Sequence, residues 1–239
     1  KIAAGKVQVD GVAKTGTNRF VIEDAGALGT TLTLNPNPLN YYDGSGALSD
    51  AANWDLGLPT NANPGLVSTT DGAQDFGGDT WVHSFQLSQT GGTITDPADS
   101  GIALRGGADN TTDNCTFEID DASNTGFGTK NLDISGQLTL WNQYQPNGST
   151  GNIFSVLNGY ADVAILAGTN SANSTINLLN GKLDVGYFSN ANLTVNMLDG
   201  GTGEFNLADM SGTAEAKSQL SNMILNFETD SEASFTIAS

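Results

Sequence analysis

From Asn152 to Leu207 the chain alternates apolar and polar residues in short runs, each broken by a small polar residue and a glycine. The stretches "NIFSVLNGYADV", "STINLLNGKLDVG" and "LTVNMLDGGTGEFNL" align almost position for position. Phe154, Ile176 and Val195 share one column, Val156, Leu178 and Met197 a second, and Leu157, Leu179 and Leu198 a third. Asn158, Asn180 or Asp199 follows, then Gly159, Gly181 or Gly200. Beyond the turn come Ala161, Leu183 and Phe205, then Asp162, Asp184 and Asn206, then Val163, Val185 and Leu207, with a two-residue insertion in the third copy. Upstream, "LDISGQLTL" keeps the same grammar, and the glycines at 136, 159, 181 and 200 lie 23, 22 and 19 residues apart.

Self-similarity at that period marks a solenoid, whose units bury their apolar faces only by stacking on neighbours. Within a unit the period is two, as in Leu183-Asp184-Val185, which predicts strands with one side inward and one in water. Asn and Gly supply the positive φ of a tight corner. An Asn-Gly turn also suits an antiparallel hairpin, so that alternative stays open. The fold class predicted is all-β, with a parallel, right-handed β-helix in the C-terminal part and a small N-terminal β/loop cap.

The chain divides into three parts. Residues 1–34 hold short strands parted by Gly and Asp, a cap or the end of a preceding module. Residues 35–80 are rich in Pro, Gly and Asn, irregular but anchored by Tyr41, Tyr42 and Trp54. Residues 81–239 carry the β-helical repeats. A turn or two of helix is expected within "SGTAEAKSQLSN", Ser211 to Asn222, unless it is a long loop.

The run Tyr42-Asp43-Gly44-Ser45-Gly46, then Ala52-Asn53-Trp54, then Gly57-Leu58-Pro59, resembles the opening that precedes β-helical repeats in extracellular bacterial proteins with autotransporter-associated β-strand repeats. "FQLSQTGGTIT", Phe85 to Thr95, the Asn-Gly units and "MILNFETDSEASFTI", Met223 to Ile237, are similar to segments of the same family. Tyr42 stands where that family usually has Trp. The resemblance implies a β-helix at the cell surface and carries over no catalytic site.

Charge narrows the partners. The formal net charge is −18, from 26 acidic and 8 basic residues, which disfavours nucleic acid because its affinity depends on cations that neutralise phosphates. No apolar run approaches the ~20 residues that span a bilayer, so no membrane span is expected. A single cysteine, Cys115, leaves no internal disulfide framework. Low charge density with abundant Gly, Asn, Ser and Thr suits a secreted surface protein, a processed or truncated piece of something longer.

Candidate chemistry is sparse. His83, the lone histidine, sits in an alternating "TWVHSF" and reads as a strand residue. Asp162 and Asp184 would stack about 4.8 Å apart, near the spacing of a retaining glycosidase pair, or would simply form a solvated outward column. Three acidic clusters offer hard oxygen ligands for calcium: Asp71, Asp75 and Asp79; Asp96 and Asp99; and Asp109, Asp113, Asp120 and Asp121. The plain alternative is turn-forming Asp facing water. If the chain takes a polysaccharide, Trp81, Trp141 and Tyr144 are the stacking residues to look for. Phe235 and Ile237 end the chain on a strand pattern, and Val7 and Val9 begin it on another. Those two edges predict head-to-tail self-association, as a homo-oligomer or filament. The function expected is a non-enzymatic extracellular structural or adhesive rod; the alternative is a carbohydrate-binding or carbohydrate-cleaving module of a larger secreted protein.

Overall fold

The computed structural model describes residues 8–9, 12–13, 20–24, 30–34, 40–42, 47–48, 50–59, 64–67, 73–75, 80–83, 86–96, 102–105, 116–141, 152–168, 174–189, 193–208 and 223–237. Two antiparallel pairs come first, β1 (Gln8–Val9) with β2 (Val12–Ala13) and β3 (Phe20–Asp24) with β4 (Thr30–Leu34). Val9 has a partner within the chain, Val12.

The remaining strands form two sheets in which all pairing is parallel. One runs β5 (Asn40–Tyr41), β6 (Gly65–Val67), β9 (Gln86–Gln89), β12 (Thr116–Asp120), β14 (Ile153–Asn158), β16 (Ser174–Leu178), β18 (Leu193–Met197) and β20 (Ile224–Phe227). The other runs β7 (Ala73–Asp75), β10 (Thr93–Thr95), β13 (Leu132–Trp141), β15 (Tyr160–Gly168), β17 (Lys182–Ser189), β19 (Glu204–Leu207) and β21 (Ser234–Ile237). Beside it, β11 (Ile102–Arg105) pairs with β13 and with β8 (Thr80–His83). The chain visits each sheet in turn, coil after coil, which is a parallel β-helix. Asn158-Gly159 and Asn180-Gly181 carry it from one sheet to the other, so the hairpin alternative fails for these units.

The repeat columns fall in register. Phe154 lies beside Ile176, Ile176 beside Val195 and Val195 beside Leu225; Ala161 lies beside Leu183, Leu183 beside Phe205 and Phe205 beside Phe235. These inward columns are fully buried up to the last coil. Each large side chain so placed contributes roughly 1.5–3 kcal/mol relative to exposure. Aromatic contacts tie neighbouring coils, Phe117 to Phe154 at 5.6 Å between centroids and Phe205 to Phe235 at 5.0 Å.

Outward positions build an amide ladder. Asn226 Nδ2 donates to Asn196 Oδ1 at 3.3 Å, Asn196 Nδ2 to Asn177 Oδ1 at 3.0 Å, and Asn177 Nδ2 to Ser155 Oγ at 3.4 Å. At the corner, Gly159 takes φ 96°, and a Cβ there would stand 2.5 Å from Asn131 Oδ1. Only glycine meets both demands.

Within 35–80, Tyr42 and Trp54 are buried edge to face at 5.2 Å, and Trp54 Nε1 donates to the Leu48 carbonyl at 2.8 Å. It also supplies β5, β6 and β7 to the parallel sheets. The possible helix at 211–222 lies outside the described residues. Among the described residues no helix is long and apolar enough to cross a membrane.

Candidate functional site

The densest polar chemistry lies on the outer face of the second sheet. Parallel register sets Asp133, Asp162, Asp184 and Asn206 in one outward column, with Tyr160, Lys182 and Glu204 in the next column toward the corner. Like charges one strand spacing apart repel, and the lane answers that with two lysines. Lys130 Nζ bridges Asp133 at 3.0 Å and Asp162 at 2.6 Å; Lys182 Nζ meets Asp184 at 2.9 Å. Tyr160 Oη donates to Asp184 Oδ2 at 2.7 Å, Asn206 Nδ2 donates to Asp184 Oδ1 at 2.8 Å, and Lys182 stands 4.6 Å over the Tyr160 ring.

Electrostatics follow from those contacts. Burial alone would raise the Asp184 carboxyl, but hydrogen bonds from Lys182, Tyr160 and Asn206 bring it below the ordinary carboxylate range. Burial, then the Asp184 hydrogen bond, pushes the Tyr160 phenol well above its usual value. The hydrogen bond to Asp162, set against a smaller opposing effect of burial, raises the Lys130 ammonium. Each group is thereby held in its resting charge state. General acid–base work favours the opposite, a group poised near the operating pH. Asp162 and Asp184 do stack as expected, yet lysine partners occupy both.

The acidic residues proposed as calcium ligands do not come together in the described residues. Asp96 is buried and accepts from Ser135 N at 2.8 Å, Ser135 Oγ at 2.9 Å and Gly136 N at 2.7 Å. Asp121 is buried and accepts from Ser123 N, Ser123 Oγ and Asn131 Nδ2 at 3.1, 2.6 and 2.8 Å. Such carboxylates serve as loop caps, already saturated by donors. Asp120 accepts from Asn158 Nδ2 at 2.6 Å; its charge, after burial, raises the Glu118 carboxyl. No group of three or more possible metal ligands occurs among the described residues. Asp75 is placed by backbone alone on β7, while Asp71, Asp79, Asp99, Asp109 and Asp113 lie outside the described residues.

Of the stacking candidates, Trp81 and Trp141 are placed by backbone on β8 and β13, both paired to β11, and Tyr144 lies outside the described residues. In register, Arg105 lies between Trp141 on β13 and His83 on β8, while Trp81 lies beside Ala103. Phe235 and Ile237 occupy the inward columns of the last coil, Phe235 packed on the core and Ile237 48% exposed. Val7 lies outside the described residues.

Sequence reasoning missed Lys130, Tyr160 and Asn131. The Lys130 to Asp133 spacing pointed to nothing on a strand, because its second partner, Asp162, is supplied by the next coil.

Stacked coils, inward apolar columns and outward amide and carboxylate lanes define the class: a β-solenoid of the parallel β-helix type. Compared with known proteins, the chain matches no family model, no curated protein and no solved structure.

Proposed function

We propose that the chain is a non-enzymatic structural or adhesive element of an extracellular surface protein, a stiff rod that extends end to end. The observation that carries this is the last coil. Met197 and Leu207 are fully buried or nearly so, but their register partners Phe227 and Ile237 in β20 and β21 are each 48% exposed. A further coil seated on these strands would cover both columns and extend the amide ladder from Asn226.

The proposed occupant is the N-terminal side of a second copy, where β5 edges one sheet and β7 and β8 edge the other. Such a head-to-tail contact is heterologous, and one that does not close into a ring makes a fibre. The carboxylate lane supports a non-enzymatic role, because its lysines and Tyr160 hold it in fixed charge states. Net charge −18, low charge density and the resemblance to autotransporter-associated β-strand repeat proteins support an extracellular place. Calcium, on this reading, acts through the acidic segments at 71–79 and 109–113.

Light scattering over a wide concentration range tests the rod. Wild type should grow in mass with concentration, and Phe227→Lys combined with Ile237→Lys should stay monomeric with an unchanged β-sheet circular dichroism spectrum. A wild-type chain that remains monomeric, or a double variant that associates equally, overturns the proposal.

A further inference from the structure

The corner between the two sheets carries a second feature, unrelated to the end of the rod. The other coils turn this corner in one to six residues, but between β12 and β13 the chain makes an eleven-residue detour, "DASNTGFGTKN", Asp121 to Asn131. The detour is braced. Ser123 caps onto Asp121, and Asn124 Nδ2 donates to the Thr129 carbonyl at 2.6 Å and to Asn131 Oδ1 at 2.9 Å. Asn131 in turn donates to Asp121 Oδ2 at 2.8 Å and accepts from Tyr160 N at 2.9 Å. Gln89, set in an inward column between Val67 and Ile119, fastens the base by donating to the Asn131 carbonyl at 2.6 Å.

What the bracing holds up is Phe127. It is the one described non-glycine residue with positive φ, 52°, a conformation that costs a bulky side chain of the order of 1–3 kcal/mol. Its neighbours Gly126 and Gly128 stand in open space, and Phe127 takes no part in the core. The ring is half-buried outside the core, held by a braced loop in a strained backbone.

Beside that ring lies a depression of about 310 Å³, near the lower end of the volumes that hold small ligands. Its floor is the stacked corner positions of successive coils, Asn158, Asn180 and Thr202, and Asp121, Thr125 and Glu204 are among the rest of the lining. Asn180 Nδ2 reaches Asn158 Oδ1 only at 3.5 Å and Thr202 Oγ1 reaches Asn180 Oδ1 at 3.4 Å, weak contacts, while Asn158 Nδ2 is committed to Asp120 at 2.6 Å. The floor rises about 4.8 Å per coil, roughly 10 Å over three positions.

We propose that this corner groove binds a neutral oligosaccharide, two or three sugar rings laid along the rod axis with one ring face on Phe127. Amides and hydroxyls both donate and accept, as sugar hydroxyls do, and an aromatic face beside a few fixed polar groups is the usual composition of such a site. The bracing also removes the ordering cost that a loose loop would impose on binding. Charge selects within the class. The Glu204 carboxylate has no ion-pair partner among the described residues, and Asp121 lies close by, so an anionic glycan is repelled.

The test is calorimetric titration, backed by saturation-transfer NMR, with cellotetraose, maltotetraose, mannotetraose and N-acetylchitotetraose, and tetragalacturonate as the anionic comparator. At least one neutral probe should bind at concentrations below about 10 mM. Phe127→Gly should weaken it about tenfold while leaving the melting temperature unchanged or higher, because glycine accepts this φ without strain. Phe127→Tyr should retain binding, and Glu204→Gln should improve binding of tetragalacturonate. Failure of all four neutral probes, equal affinity in Phe127→Gly, or a wild-type preference for tetragalacturonate overturns the site. Light scattering reads the rod separately, so either proposal fails without the other.

Discussion

Leu178 and Asn177 are adjacent in β16 and face opposite ways, which makes them a sharp probe of the coil. Leu178 is fully buried between Val156 and Met197 in register, and a Cβ on Gly203 would come within 2.7 Å of its Cγ. Packing that tight against the backbone of the next coil leaves little room to collapse after truncation. Leu178→Ala should therefore cost about 2–5 kcal/mol, toward the upper half of that range. Leu178→Asp adds the burial of an unpaired carboxylate, several kcal/mol more. Asn177→Asp loses one weak donor, the 3.4 Å contact to Ser155, and keeps the oxygen that accepts from Asn196 at 3.0 Å. Its cost should be about 0.5 kcal/mol. At about 2–4 °C per kcal/mol for a chain of this size, Leu178→Ala should lower the melting temperature by roughly 5–20 °C and Asn177→Asp by about 2 °C or less. Circular dichroism melts of the three variants against wild type measure this. Equal shifts for Leu178→Asp and Asn177→Asp would refute the inward and outward assignment, and with it the alignment of the coils.

Titration offers a second prediction. Asp184, lowered in the fold, contributes stability that is present above about pH 4 and lost as pH falls through its folded value. Tyr160 and Lys130, raised in the fold, contribute stability present below about pH 10 and lost as pH rises through theirs. Melting temperature against pH should therefore be a plateau with an acid and an alkaline limb, and Tyr160→Phe should flatten the alkaline one. At the corners, Gly159→Ala meets both a positive φ and the Asn131 side chain, whereas Gly200→Ala, with φ 69° and open space, meets only the first. Thermal melts should show Gly159→Ala the more destabilising by at least about 1 kcal/mol. Asp96→Ala strips three donors of their acceptor and should cost about 2–4 kcal/mol by urea titration, equally with calcium and with chelator. A loss markedly larger with calcium than with chelator would make Asp96 a ligand.

The coils were legible because each inward column repeats one chemical class, so Ile176, Val195 and Leu183 announce their neighbours before any contact is known. The amide ladder followed from the same alignment, Asn177 over Asn196. What alignment could not supply was the partner of a residue outside the repeat. Lys130 and Asn131 precede the first well-aligned unit, and their roles depend on Asp162 and Tyr160 one coil away. The donors that bind Asp96 and Asp121 were hidden for a related reason. Asp96 and Asp121 look like surface ligands in sequence, but each turns inward to cap N–H groups that bending the chain has freed. Gln89 shares the inward parity of Leu87, and register sets it in the core beside Val67 and Ile119, where three carbonyls receive its amide.

The direction of pairing has a mechanical consequence. In a parallel β-helix the interstrand hydrogen bonds run along the axis of the stack, so a pull on the two ends loads them directly. Bonds between two given coils share that load in parallel, while successive coil junctions bear it in series. The weakest junction then sets the breaking force of the whole. β15 and β17 hold each other from Tyr160 against Lys182 to Ala167 against Ser189, but the last coil is held only through Ile224 to Phe227 and Ser234 to Ile237. Under tension a terminal coil should peel away first, β5 from β6 where Asn40 and Tyr41 meet Gly65 and Leu66, or the last coil, leaving the middle of the stack intact.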